Sequence, residues 1–368
     1  MSEQVCTRCG SAFGPEELLF RCPRCGGPLE WRGLPRFDPK LIQKNMPGLW
    51  KYRPFFPEVL PEHPLTLGEG WTPIVHVPRL GDNVLFKLEY VSPTASFKDR
   101  GVALVINQLH RFGVSEFADD SSGNAGASMA AYGAMAGMTA HIFSPAYAPK
   151  GKIEQIRAFG AELTLVPGPR PEATKAAVAM AEKGVFYASH AWVPVNIVGQ
   201  QTAAFEVWEQ LGGEMPDAVA MPVGQGTLLL GMYQGFKRLL EAKVIDRIPR
   251  LIAVQAKKVS PVVQAFEKSL DDVPAVEPDY TIADGMAITR PVRGKAILEA
   301  IRESSGTAIA VTEEEIEEAR RNLALGGLFV EPTSAAPYAA ISRLDIPAAE
   351  KVLIMLTGSG LKKLGGGE

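Results

Sequence analysis

The stretch Val84-Leu-Phe-Lys-Leu-Glu89, followed by Pro93-Thr-Ala-Ser-Phe-Lys-Asp-Arg-Gly101, decides the fold. Its first part reads as a strand. Residues 97–109 read as a helix with apolar side chains on most of one side. Outward from this pair the alternation continues. Residues 128–136 read as a helix of small residues, 139–143 as a strand, 151–159 as a helix stopped by Gly160, and 162–166 as a strand. Beyond them come a helix at 201–211 ended by Gly212-Gly213, a strand at 217–223, a helix at 227–240 and a strand at 249–254. Thr312 with Glu315 forms a capping box that opens another helix, and residues 351–356 read as a last buried strand. Alternation of this kind predicts parallel sheets covered by helices on both faces.

The chain has 368 residues, of which 46% are apolar and 21% charged, values ordinary for a globular protein with a substantial core. A net charge of −3 argues against a general nucleic-acid binder, which needs a basic face to displace counterions. The densest acidic cluster, Glu313-Glu314-Glu315 with Glu317-Glu318, is interleaved with Ile316 and Ala319 and reads as a solvated helix face. No export signal and no membrane-length apolar run is evident, so a cytoplasmic protein is expected.

The four cysteines fall into two halves of an imperfect repeat, Cys6-Thr-Arg-Cys9-Gly10 and Cys22-Pro-Arg-Cys25-Gly26. A CxxC turn presents two sulfurs to one side of a tetrahedral ion, and two such turns complete the shell. The following glycines free each turn so that backbone amides approach the thiolates. The expectation is a zinc ribbon over residues 1–30, its Zn2+ structural because four thiolates leave no open position. Residues 31–71, rich in proline and aromatic residues at first, read as a connector packed on the main body, 72–368.

Three polar or glycine-rich turns sit where strands are expected to end: Ser121-Ser-Gly-Asn124, Gly224-Gln-Gly-Thr227 and Thr357-Gly-Ser-Gly360. Ligands of open α/β sheets collect at such carboxyl ends. Between a strand and a helix, the alternating glycines of the second turn bare amides beside a helix N-terminus, which suits a phosphate. Lys98 alone reads two ways. A lysine in a first helical turn is commonly a solvated charge, whereas a nucleophilic lysine needs a site where its neutral amine is accessible.

Taken together, these motifs resemble those of the threonine synthases, within the tryptophan-synthase-β-like, fold type II family of pyridoxal phosphate enzymes. The lysine stretch, Leu67-Gly-Glu-Gly-Trp-Thr-Pro73, Ser121-Ser-Gly-Asn-Ala-Gly-Ala-Ser128, Gly224-Gln-Gly-Thr-Leu228, Glu331-Pro-Thr-Ser-Ala-Ala336 and Thr357-Gly-Ser-Gly-Leu-Lys362 carry the resemblance over nearly the whole chain. It implies two doubly wound parallel-sheet domains, a smaller one over about 100–190 and a larger one from 72–99 with 191–368, with the cofactor in the cleft. It further implies pyridoxal 5′-phosphate as a Schiff base on Lys98, next to Phe97. Asn124 would hydrogen-bond its phenolic oxygen. Amides of Gly224, Gln225, Gly226, Thr227 and Leu228 would hold its phosphate, and Thr357 its ring nitrogen. Ser121, Ser122, Gly123 and Ala125 would receive the substrate carboxylate. The expected activity is a lyase that converts O-phosphohomoserine and water to L-threonine and phosphate, in threonine biosynthesis. Expected partners are a small amino-acid substrate and a second copy of the chain in a homodimer, without nucleic acid or membrane.

The sequence departs from that pattern at Trp192-Val-Pro-Val-Asn-Ile-Val-Gly-Gln200, where Val193 and Asn196 replace the asparagine and arginine suited to gripping a second phosphate. Gly224-Gln-Gly-Thr-Leu228 and Thr281-Ile-Ala-Asp-Gly285 lean towards serine/threonine dehydratases. A second reading is therefore β-elimination or β-replacement on a serine-, threonine- or cysteine-type amino acid. A third is a zinc-ribbon binding or regulatory protein with a vestigial enzyme body. Ala95 replaces a common glycine, a small change. Asp119-Asp120 ends an expected strand, so solvent or a basic partner is expected there. His190 reads as an acid or base on a leaving group or, more simply, as a hydrogen-bonded wall residue.

Overall fold

Val352-Leu-Ile-Met355 is apolar throughout and forms a strand buried throughout, as a strand covered on both faces must be. The computed structural model describes residues 2–121, 123–148, 150–168, 170–341, 343–344, 347 and 349–363. The chain divides into two units, one of residues 1–70, 98–199 and 362–368, the other of residues 71–97 and 200–361.

In the second unit a six-stranded sheet runs in the order Thr307–Val311, Arg250–Ala256, Ala218–Pro222, Val352–Met355, Val84–Lys87, Ile74–His76. All neighbours are parallel except the edge strand Ile74–His76, which is antiparallel to Val84–Lys87. Phe86, Ala220, Val254 and Ile354 of the sheet pack with Leu323 and Ala336 of the helices Glu313–Leu325 and Pro332–Ile341. The capping box expected at Thr312 and Glu315 is present.

In the first unit a four-stranded parallel sheet runs Glu162–Val166, Thr139–Pro145, Glu116–Asp119, Phe186–Tyr187. Its helices Lys98–Arg111 and Asn124–Met135 bury Leu104, Ala127 and Tyr132 completely. Residues 3–32 of the same unit form a small antiparallel sheet, Ala12–Phe13, Glu3–Cys6, Leu29–Arg32. The segment after it is irregular but tied down. Trp50 Nε1 donates to Glu69 at 2.6 Å, and the Tyr132 hydroxyl donates to the same carboxylate at 2.8 Å. Among the described residues no helix is long and apolar enough to cross a membrane.

Candidate cofactor site and metal centre

Both CxxC turns close as their glycines require. Gly10 and Gly26 adopt φ of +72° and +68°, and their amides donate to the carbonyls of Cys6 and Cys22. The four sulfurs lie within 4.8 Å of one another, with Cys6–Cys25 at 3.5 Å and Cys9–Cys22 at 3.7 Å. A zinc–sulfur bond of 2.3 Å puts the corners of a regular tetrahedron about 3.8 Å apart, so the set can hold one such ion.

The three turns share one placement. Ser121, Gly224 and Thr357 each stand two residues beyond the end of a parallel strand, after Asp119, Pro222 and Met355. In the second unit, Gly224 and Thr357 follow neighbouring strands of one sheet. Gly226, in the left-handed region at φ +75°, is the N-cap of the helix Thr227–Glu241, and that helix has no side-chain cap. Its first-turn amides have no acceptor one turn earlier in their own helix, the arrangement that attracts an anion. A Cβ on Gly226 would meet Ile297 at 2.3 Å, so only glycine keeps the turn. Gln225 turns away from the loop and accepts the Val292 amide at 3.1 Å.

Thr357 is buried, its hydroxyl 3.1 Å from that of Ser334. Its carbonyl accepts the Phe97 amide at 3.0 Å, and the Ser359 amide donates to Ala95 at 3.1 Å. The segment that delivers Lys98 is thus pinned to the Thr357 turn. Ala95 adopts φ +60°, the region that disfavours a Cβ, so the replacement of glycine there carries strain and is more than a small change.

In the first unit Lys98 is half-buried and opens the helix Lys98–Arg111. Its neighbour Asp99 accepts from Ser128 at 2.6 Å, both side chains fully buried. Asn124 opens its own helix, with Gly123 as N-cap and Ala125 buried behind it. Asn124 Oδ1 accepts from Lys362 Nζ at 3.0 Å. Ser121 is buried, and its carbonyl lies where a Cβ on Gly126 would sit, which presses the loop against the helix. Ser122 lies outside the described residues.

His190 is buried, with no partner for Nδ1 among the described residues. Burial, then the charges of Lys98 and Arg170, hold it well below the usual imidazole range, so it is neutral at physiological pH and Nδ1 makes no wall hydrogen bond. Asp119 corrects the expectation of solvent, while a basic side chain, Arg170, does act on it. Asp119 is fully buried, and among the described residues neither carboxylate oxygen has a side-chain hydrogen-bond partner. Burial first, then the charge of Asp120, push it up to about 8. Arg170 and nearby amides oppose that rise only in part. Asp120 instead accepts from Thr174 Oγ1 at 2.5 Å.

Residues 65–358 match the family of pyridoxal-phosphate dependent enzymes. The threonine synthase of Methanocaldococcus jannaschii is 33% identical over 98% of this chain and 92% of that protein. The threonine synthase of Methanosarcina acetivorans is 32% identical over 97% of this chain and 91% of that protein. This chain is a pyridoxal-phosphate-dependent enzyme of the threonine synthase family. Among solved structures, a fungal L-serine ammonia-lyase from Rhizomucor miehei superposes with TM-score 0.70 at 25% identity, over 78% of this chain and 93% of that one. A threonine deaminase isoform from Solanum lycopersicum, at 22% identity and TM-score 0.68, covers 94% of this chain and 95% of that chain and shares the fold.

For a member of the threonine synthase family, two residues stand out that motif reading did not assign to the site. Ser334 and Lys362 lie inside quoted motifs, yet a serine among alanines and a lysine near a chain end carry no local signal. Only their contacts to Thr357 and Asn124 bring them in.

Proposed function

We propose that this chain is a threonine synthase, which with pyridoxal phosphate bound turns O-phosphohomoserine and water into L-threonine and phosphate. The observation that carries the reading is the common placement of three ligand-type turns two residues past parallel strands, in a chain matched almost end to end by threonine synthases. The residues present fit the cofactor: an uncapped helix start behind a left-handed glycine for a phosphate, a hydroxyl pair for a ring nitrogen, and a half-buried lysine.

When bound, the cofactor supplies an electron sink for the substrate's α-carbon. The chain's own residues do the rest. Lys98 would hold the cofactor through its ε-amine and would move protons at the substrate carbons. Phe97 flanks that lysine. Asn124 would donate to the phenolic oxygen, the amides of Gly224 to Leu228 would hold the phosphate, and Thr357 would meet the ring nitrogen. Ser121, Ser122, Gly123 and Ala125 take the substrate carboxylate. The four N-terminal cysteines hold one structural zinc, a reading supported by their sulfur spacing.

One observation favours a second substrate class. Val193 and Asn196, standing for the phosphate-gripping asparagine and arginine, are both buried, and among the described residues neither end of the Asn196 carboxamide has a partner. Loss of the arginine fork favours β-elimination on serine or threonine. Parallel assays of O-phosphohomoserine, threonine, serine and O-phosphoserine, following phosphate and keto-acid release, separate the two. Phosphate and threonine from O-phosphohomoserine are expected. Keto acid from serine or threonine, with O-phosphohomoserine inert, would establish the second reading. Borohydride should fix the cofactor to Lys98, and Lys98→Ala should abolish turnover.

A further inference from the structure

Lys362 and Asn124, both of the first unit and each 8% exposed, meet in a hydrogen bond of fixed direction. Lys362 Nζ donates to Asn124 Oδ1 at 3.0 Å. An ammonium carries protons and no lone pair, so it holds the oxygen of a carboxamide and not its nitrogen. Asn124 is the first residue of the helix Asn124–Met135, which fixes its backbone. Its carboxamide can turn over only by breaking the bond to Lys362. The lysine is itself held from behind. A Cβ on Gly151 would lie 2.6 Å from the Lys362 carbonyl, so the helix Lys150–Ala158 packs directly on the backbone that carries the amine.

We infer that Lys362 is a positioning residue for Asn124: it takes the amide oxygen and so presents the Nδ2 end to the cofactor as a donor. This role rests on the cofactor reading above, in which Asn124 meets the phenolic oxygen of pyridoxal phosphate. An asparagine by itself can offer either end. With its oxygen on a cation, the carboxamide is polarised and its nitrogen donates more strongly. The charge of Lys362 also lies on the far side of the same carboxamide from the phenolic oxygen. Both effects favour the ionised phenolic oxygen over the protonated one. Lys362→Met removes the charge and the donor but keeps an unbranched side chain of similar length. The phenolic oxygen should then regain its proton more readily.

The test loads the full chain, Lys362→Met and Lys362→Arg with pyridoxal phosphate and compares the absorption of the bound cofactor. An ionised phenolic oxygen absorbs in the visible, a protonated one in the near ultraviolet. The wild-type protein should absorb chiefly in the visible at neutral pH. Lys362→Met should lower the visible-to-ultraviolet ratio by about tenfold, the equivalent of one pKa unit, and Lys362→Arg, which keeps a donor-only cation, should restore it. An unchanged ratio in Lys362→Met overturns the inference whatever the melting temperature, since it marks a lysine that only packs. A second measurement uses the wild-type chain and stands even if Lys362→Met does not fold. With nitrogen-15 in its asparagines, and Asn124→Ala to identify the signal, the Asn124 side-chain amide resonance should move on loading with the cofactor. A resonance that stays in place means that the nitrogen does not face the cofactor, and overturns the inference. Failure of the chain to bind the cofactor at all is a separate outcome that removes the cofactor reading, and this role with it.

Discussion

Lys87 and Lys98 belong to one stretch of sequence but have different surroundings. Lys87 is sealed in the second unit, where its amine donates to the Thr72 carbonyl at 2.6 Å, Glu206 at 2.8 Å and Gln210 at 2.9 Å. All three of its donors are used, and its partner carboxylate is as buried as it is. Lys98 keeps partial access to solvent, as a lysine that must exchange partners requires. Asp119 shows the opposite economy, a fully buried carboxyl that Arg170 and nearby amides offset only in part, pushed up to about 8. Its ordinary value in an unfolded chain is near 4, so between roughly pH 4 and 8 the folded state holds a proton that the unfolded state has lost. Stability from this residue is therefore greatest at low pH and falls as pH rises through that window. Asp119→Asn, neutral at every pH, should flatten that fall, with midpoints of urea unfolding measured from pH 5 to pH 9 as the check. An unchanged slope would mean that Asp119 is ionised in the folded protein. The paired acids Asp119-Asp120 stood out in the sequence. That one would be neutral and the other bonded to Thr174 depended on a helix some fifty positions further along the chain, so it could not be read locally.

At the scale of elements, the reading succeeded where one pattern dominated. The strand Glu162–Val166 and the helix Thr227–Glu241 fall where the sequence pattern put them, at 162–166 and 227–240. It failed where glycine and proline serve packing. The helix Asn124–Met135 begins at the asparagine itself, four residues before the expected 128, although it carries a glycine at 126. That glycine is needed because the Ser121 carbonyl lies where its Cβ would be. The helix Val195–Gln210 likewise starts six residues before the expected 201, in a β-branched run that local propensity disfavours. The helix Pro332–Ile341, which carries Ser334, contains Pro337 and was not expected at all. Gly226 offers a test at this scale. Gly226→Ala would place a Cβ at φ +75° and within 2.3 Å of Ile297, displacing the start of the helix Thr227–Glu241. Cofactor retention should fall by about tenfold or more, since each 1.4 kcal/mol of lost anion binding is tenfold. Equilibrium dialysis of pyridoxal phosphate against the variant measures it. Unaltered retention would mean that the loop amides do not hold the phosphate.

Across the whole molecule, the chain passes from one unit to the other between Gly70 and Trp71, Phe97 and Lys98, Gly199 and Gln200, and Leu361 and Lys362. Lys98 and Lys362 therefore each begin a segment at such a passage, a property of chain organisation that no local motif encodes. The cysteine ribbon is the part least able to stand alone. Its buried cluster consists of Cys6, Cys22 and Leu29, with Phe13, Leu19 and Cys25 packed against them. Half of that cluster is sulfur, so removing a bound ion would leave too little apolar contact to hold the turns. The ribbon is also joined to the rest of its unit. Phe20, between the two CxxC turns, meets Phe186 edge-on at 6.2 Å and Tyr187 at 5.4 Å, on the edge strand of the parallel sheet. Loss of the ion should first free the loop that carries Phe20 and then loosen this strand. Treatment with a chelator is expected to release one zinc per chain, measured by atomic emission. Amide exchange should then rise strongly over residues 3–32 and more weakly at 186–187, while the strands Ala218–Pro222 and Val352–Met355 of the other unit stay protected. Stoichiometric iron, no metal, or exchange confined to residues 3–32 would each break a link in this chain. The last outcome would mean that the contacts of Phe20 with Phe186 and Tyr187 survive without the ion.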